Sequence, residues 1–266
     1  MKNYLFLGMM GAALFFNSCS NNDDNINEAT ETKLFLKKAV INYYDSPYEP
    51  ESITDEFEYN TKGELVKMWT NGKLSTIEYN NDRPTKVNYY TNENKLEYYS
   101  NLYYTGNQLN QVKSMYVNMH PIGTLNYAYN SEGQLISSTN CQSVECTKPD
   151  TETLTYKGDN VSTHIMAITS GINFSIKSEY SYDNKLNPYT NINKYLKIMM
   201  GDVNPLNKNN YTVIKNSNKW NNGNWELSEN TTYTYEYNSS GFPVKVVGTN
   251  SKGNIAVQYN YEYITL

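Results

Sequence analysis

From about residue 53 onward the chain alternates. Aromatic or aliphatic residues fall at every second position, polar residues stand between them, and short breaks rich in Asn and Gly divide the runs. A period of two puts residues i and i+2 on one face of a strand. Phe57/Tyr59, Tyr127/Tyr129 and Tyr233/Tyr235/Tyr237 are thus aromatic stripes, with Glu58, Ala128 and Glu236 turned to the other face. The unit is aromatic-x-Tyr, a turn, then an aliphatic residue that leads the return strand. Clear copies are Phe57-Glu58-Tyr59-Asn60-Thr61-Lys62-Gly63-Glu64-Leu65, Tyr127-Ala128-Tyr129-Asn130-Ser131-Glu132-Gly133-Gln134-Leu135 and Tyr235-Glu236-Tyr237-Asn238-Ser239-Ser240-Gly241-Phe242-Pro243. Looser copies give tyrosines 59, 79, 104, 129, 156 and 182, separated by 20, 25, 25, 27 and 26 residues, and Tyr237 lies two such units further on. Asn with Gly supplies the φ > 0 conformations that reverse a chain cheaply. Further breaks at Asn71-Gly72, Asn92-Glu93-Asn94, Pro121-Ile122-Gly123, Ser170-Gly171, Asn222-Gly223 and Lys252-Gly253 are expected to close the other ends. Two strands per unit predict roughly sixteen strands, too many for one open sheet. The expected fold is all-β: a long antiparallel meander of β-hairpins over residues 33–266, curled into a half-barrel or folded as a sandwich.

One segment departs from this period. Ile192, Tyr195, Leu196, Met199 and Met200 stand at helical offsets, which predicts a short helix over 191–200. Thr190 or Asn191 is placed to cap its start and Gly201 its end. Its apolar face is expected to cover the concave side of the sheet.

The chain begins with a different pattern. Lys2 precedes a 13-residue apolar run, Tyr4 to Phe16, too short to span a bilayer, and the run ends at Ser18-Cys19. Residues 1–18 read as a signal peptide and 19–32 as a polar tether. Ser18-Cys19 resembles a bacterial lipobox, which implies lipidation of Cys19; an ordinary secretory signal with an incidental cysteine is the alternative. Ser20-Asn21-Asn22-Asp23-Asp24-Asn25 resembles the export signal of Bacteroidetes lipoproteins, which implies the outer membrane and its outer face. The repeats are similar to degenerate YD (Rhs-type) repeats. Together with Tyr182-Asp183-Asn184-Lys185-Leu186-Asn187-Pro188-Tyr189 and Gly241-Phe242-Pro243, they resemble a family of Bacteroidetes outer-membrane lipoproteins to which no activity is attached. That resemblance implies an all-β lipoprotein and supplies no site residue.

Composition narrows the function. Twenty-two Lys+Arg against 27 Asp+Glu, a formal charge of −5, argue against a nucleic-acid partner, which needs a concentrated basic surface. Twenty-seven tyrosines and two histidines fit aromatic strands better than metal or acid–base chemistry. His120 falls in a turn and His164 in a strand, neither with a second His at metal spacing, so no metal and no cofactor are expected. Gly201-Asp202-Val203-Asn204-Pro205-Leu206-Asn207 has Leu206 where a calcium loop needs oxygen. Acid pairs such as Glu49/Glu51 and Asp55/Glu56 read as solvated charge. Cys141 and Cys146 are close enough to staple a loop, and an exported protein favours their disulfide. Trp220 and Trp225 bracket an Asn-rich turn; indole faces stack on sugars, although a cross-strand role for Trp225 and a hairpin clasp for Trp220 compete with that reading. The sequence thus predicts a non-enzymatic, surface-exposed lipoprotein, a binding or scaffold module whose ligand the sequence does not specify, with a glycan or a surface protein as candidate partners. The alternatives are a carbohydrate-binding accessory lipoprotein and a hydrolase whose carboxylates converge only in the fold.

Overall fold

A computed structural model describes residues 33–44 and 52–266, apart from Met119 and Val144. The signal peptide, Cys19, the tether and the Glu49/Glu51 pair lie outside the described residues. Sixteen strands follow in chain order. The first eight are β1 (Leu34–Tyr43), β2 (Ser52–Tyr59), β3 (Leu65–Thr70), β4 (Lys73–Asn80), β5 (Arg83–Tyr90), β6 (Leu96–Thr105), β7 (Gln108–Tyr116) and β8 (Pro121–Tyr129). The others are β9 (Leu135–Cys141), β10 (Asp150–Lys157), β11 (Asn160–Ile168), β12 (Phe174–Leu186), β13 (Asn209–Trp220), β14 (Glu226–Tyr237), β15 (Pro243–Asn250) and β16 (Ile255–Thr265).

The meander is all-antiparallel as expected, but the half-barrel and the sandwich are not what forms. β1 pairs with β16, from Leu34 opposite Thr265 to Tyr43 opposite Val257, and the sheet closes as a barrel. Closure is physically reasonable because the two terminal strands are 10 and 11 residues long and would otherwise be unpaired edges.

The turns explain the repeat. In Asn60–Glu64 the Asn60 side chain accepts the backbone N–H of Lys62 and of Glu64, and Gly63 supplies φ +78°. Asn130 and Asn238 repeat the arrangement in their own turns. At Gly63 a side chain would also meet the Phe35 ring, 2.8 Å from the position of a Cβ.

The recurrent tyrosines form a ring of their own. Tyr59 donates its hydroxyl to the carbonyl of Leu36, Tyr79 to Leu65, Tyr104 to Pro84 and Tyr129 to Leu109. Tyr156 donates to Leu135, Tyr182 to Val161, Tyr235 to Tyr211 and Tyr263 to Pro243. Every acceptor stands at a register shift between its strand and the strand before it, or for Leu36 between β1 and β16. Each phenol therefore ties one hairpin to the bulge of the preceding one, and the last donor closes the circle. In the β14 unit the rung is Tyr235 rather than Tyr237, whose hydroxyl goes to Asp183.

The two faces of the sheet differ sharply. Inward positions carry the stripes, and Phe57, Val87, Leu102, Val112 and Tyr261 form one core with the half-buried tyrosines around them. Outward positions carry cross-strand charge: Lys38–Glu56 at 3.0 Å, Lys67–Glu58 at 2.8 Å, Lys86–Glu78 at 3.7 Å and Lys245–Glu236 at 3.4 Å.

Sixteen strands enclose more space than strand side chains can fill. The connection between β12 and β13 fills one end. It contains α1 (Lys194–Met199), shorter than the 191–200 expected, and a 3₁₀ turn at Asn204–Leu206. Asn193, not Thr190 or Asn191, caps α1 by accepting the N–H of Tyr195. Asn191 and Thr190 are otherwise engaged: Asn191 donates to the Leu34 carbonyl and Thr190 to that of Asn187. Asn193 also reaches the Asp82 carbonyl and Tyr195 the Asn107 carbonyl, so the insertion is laced across the strand ends. Asn187, fully buried, donates to both oxygens of Asn204.

Candidate functional site

The inner side of the insertion is the floor of a lumen. Met199 lines three connected sectors of about 340, 420 and 330 Å³. Each lies in the size range of small-molecule sites.

One wall is aromatic. Cross-strand pairing sets Tyr98 between Tyr89 and Tyr116 on the lumenal face. The Tyr89 and Tyr98 rings stack at 4.3 Å, and Tyr116 meets Tyr98 edge-on at 6.3 Å. This wall reaches the rim, where Tyr116 is 44% exposed. Beneath it Ser100 and Ser114 share a hydrogen bond of 2.8 Å. Burial pushes the Tyr89 phenol up to about 12, so its hydroxyl remains a donor at neutral pH.

A second wall carries the titratable groups. Glu152 faces inward because it shares the parity of Leu154 and Tyr156 along β10. It accepts a hydrogen bond from Ser138 at 3.0 Å and stands 3.9 Å from Nε2 of His164. That nitrogen is buried and has no hydrogen-bond partner. Burial lowers the His164 pKa, while the negative charges of Glu152 and Asp202 work in the opposite direction. Asp202 follows α1 and lines two sectors. Its carboxylate is open to lumenal water yet enclosed by the barrel, and this desolvation raises its pKa against the N–H groups of Asn204 and Val203. Asp55, across the lumen, is likewise raised by desolvation, with the Thr70 hydroxyl pulling it back. Among the described residues no Lys or Arg lines the three sectors.

The sequence reading treated Asp55/Glu56 as a surface pair, whereas their side chains face opposite sides of the wall: Asp55 lines the lumen and Glu56 pairs outside with Lys38. Trp220 and Trp225 do not share a face either. Trp220, 60% exposed at the rim, lies against Phe174 at 4.4 Å and shares a register column with it and with Ile168, which lines the lumen. Trp225 lies outside, beneath the ammonium groups of Lys177 and Lys219. A disulfide joins Cys141 and Cys146 in the loop beside the rim. His120 is exposed in the β7–β8 turn, and no three metal-binding side chains gather among the described residues. Glu152 and Asp202 were not singled out as a site by the sequence reading, although the parity of Asp150, Glu152, Leu154 and Tyr156 already puts a carboxylate on the aromatic face.

Comparisons with known proteins bear on the fold. No family model matches the chain, and no curated protein is similar to it. Among solved structures, a porin-like protein from Bacteroides uniformis is 16% identical over 86% of this chain and 98% of its own, with a TM-score of 0.56. A porin-like protein from Bacteroides vulgatus is 9% identical over 88% of this chain and 100% of its own, at a TM-score of 0.43. A TcdB2–TccC3 toxin structure covers 80% of this chain but only 12% of its own, at 0.32 and 10% identity. The first likeness shows the architecture. The other two carry no weight.

Proposed function

We propose that the chain is a lipid-anchored, non-enzymatic binding barrel of the outer membrane, surface-exposed, that takes a ligand into its lumen rather than passing one through a bilayer. The observation that supports this most is the polarity of the wall. A membrane-spanning barrel presents an apolar band about 25 Å tall to lipid and a polar interior, and an outward Lys or Arg at the midplane costs about 2–4 kcal/mol. Here the aromatic core is inside, and Lys–Glu pairs ring the outside. The insertion across one end further argues against a through-channel.

The ligand class that fits is a glycan. Tyr89, Tyr98 and Trp220 offer ring faces, and Ser100, Asn140, Glu152 and Asp202 offer acceptors and donors for hydroxyl groups. Affinity electrophoresis through gels containing soluble polysaccharides tests it. Retardation that Trp220→Ala and Tyr98→Ala abolish, and Trp225→Ala leaves intact, is the expected result. No retardation by any polysaccharide removes the glycan, and stepwise conductance across a planar bilayer removes the whole reading. Proteolysis of intact cells reports the leaflet: complete protection means that the barrel faces the periplasm.

One observation favours a hydrolase as second reading. Asp202, raised by burial, and Glu152, which accepts a hydrogen bond from Ser138, line the same cavity, so two carboxylates face one space. Reducing ends released by the native chain, and lost in Glu152→Gln and Asp202→Asn, would select it.

A further inference from the structure

A separate groove of about 390 Å³ lies at the plugged end, between α1 and the turns that follow β6, β8 and β10. Its wall is apolar where Tyr129, Leu135, Tyr156 and Ile198 meet. Lys194 and Lys197, one helical turn apart, line the same groove. Neither forms an ion pair among the described residues. The Lys194 ammonium lies 5.0 Å from the centre of the Tyr195 ring, and Lys197 is half-buried with desolvation as its dominant influence. The groove's one carboxylate, Asp159, is already engaged by Lys208 at 3.0 Å.

Cations taken out of water are ordinarily paired, because desolvation without a counter-charge is costly. Lys197 is such a cation, and with the exposed Lys194 one turn away it offers two positive charges beside a ring-lined wall, a fit for an anion that carries some apolar body. The place of the groove narrows the source. The described chain begins at this same end, where Leu34 accepts a hydrogen bond from Asn191. A tether over residues 19–32 spans at most ~50 Å when fully extended. If its first residue is held in a bilayer, the plugged end cannot move far from the headgroups.

We propose that this groove binds the phosphate headgroup of an anionic phospholipid, with Lys197 as the principal contact and Lys194 as the second. The membrane as source rests on the anchored reading above; the anion chemistry does not. The barrel would then have a second, reversible contact with the membrane, which sets its plugged end down and its mouth outward.

The test uses the full-length chain carrying Cys19→Ser, so that no acyl chain contributes, and titrates it calorimetrically with dihexanoyl phosphatidylglycerol below its micellar concentration. The expected result is saturable binding that weakens with added salt. It falls at least tenfold in Lys197→Met and severalfold in Lys194→Gln, and the zwitterionic choline lipid of equal length binds at least tenfold more weakly. Lys197→Met should melt no lower than the parent, because it removes a desolvated charge; Lys197→Arg, which keeps the charge, guards against loss of fold and should retain binding. Equal binding of both lipids, or an unchanged affinity in Lys197→Met, overturns the site. Inorganic phosphate binding as tightly as the lipid overturns the lipid source and leaves a soluble anion. Acylation of the native protein is read separately from the intact mass of membrane extracts. Absence of the acyl group with lipid binding intact fails the anchor and spares the groove.

Discussion

The tyrosine ring makes a sharp prediction at Tyr129. Its hydroxyl donates to the carbonyl of Leu109, a residue with 0% exposure that sits at the β6–β7 register shift. Tyr129→Phe keeps the ring and removes only that donor. The net value of such a bond is about 1 kcal/mol, and a buried carbonyl left without a partner costs about 1–3 kcal/mol. For a domain of this size each 1 kcal/mol lowers the melting temperature by roughly 2–4 °C, so a fall of about 4–8 °C is expected for a 2 kcal/mol loss. An internal control lies two residues earlier on the same strand and face. Tyr127 packs its ring into the core, but its hydroxyl makes no hydrogen bond among the described residues, so Tyr127→Phe should shift the transition by less than about 1 °C. Urea and thermal unfolding followed by circular dichroism measure both. If the two variants lose the same stability, the ring is only an aromatic stripe and its hydrogen bonds do not hold the hairpins together.

Three further outcomes are expected. Burial raises the phenols of Tyr59, Tyr129, Tyr182 and Tyr235 above the ordinary 10.0, so the fold holds them neutral and stability is full below pH 10 and declines above it; at pH 11 a well-buried phenol contributes at most about 1.4 kcal/mol to the loss and the more solvated Tyr129 less, so that several together approach the scale of a whole domain. A large step of the phenolate absorbance should coincide with the loss of β-structure, and complete ionisation of the tyrosines in an intact fold would contradict this. Reduction of Cys141–Cys146 should raise the intact mass by about 2 Da and lower stability by about 2 kcal/mol, from the entropy of a loop this short; equal masses under both conditions remove the staple. Asp202→Asn should lower the His164 pKa further, because Asp202 is one of two charges opposing the effect of burial there; an upward move in an NMR titration of the imidazole contradicts the lumenal electrostatics.

Much of the barrel is legible in the chain, and the reasons are local. Alternation around Phe57/Tyr59 and Tyr127/Tyr129 defines strands, and Asn60-Thr61-Lys62-Gly63 carries the chemistry of its own turn. Closure is not local. It depends on β1 meeting β16, more than 200 residues away, and no periodicity distinguishes a curled sheet from a sealed one. The helix is shorter than its pattern because Thr190 and Asn191 are used to fasten the insertion, which leaves Asn193 as the cap. Of the site, parity alone gives the inward carboxylates at Asp55 and Glu152. The position of Asp202 depends on how the insertion folds into the lumen. Trp220 and Trp225 flank one turn, yet a five-residue spacing across a bend carries no fixed parity, so opposite faces could not be read from it.

The ring and the polarity of the wall have one physical origin. A phenol can bury its ring and still satisfy a carbonyl that a bulge leaves free, so tyrosine at each register shift serves core and ladder together. Leucine there would leave the carbonyl unpaired, and serine would leave the core empty. Once the inner face is assigned to tyrosine at every hairpin, period-two geometry leaves only the outer face for Glu58, Lys67, Glu78 and Lys86. Such a wall is stable with water outside, and its stability would be lost by turning it to lipid. The repeat that builds the barrel therefore already argues against a membrane-spanning pore. It follows that the space left inside, bounded by Met199 and Asp202 below and Tyr116 and Trp220 above, is where the molecule has room to do its work.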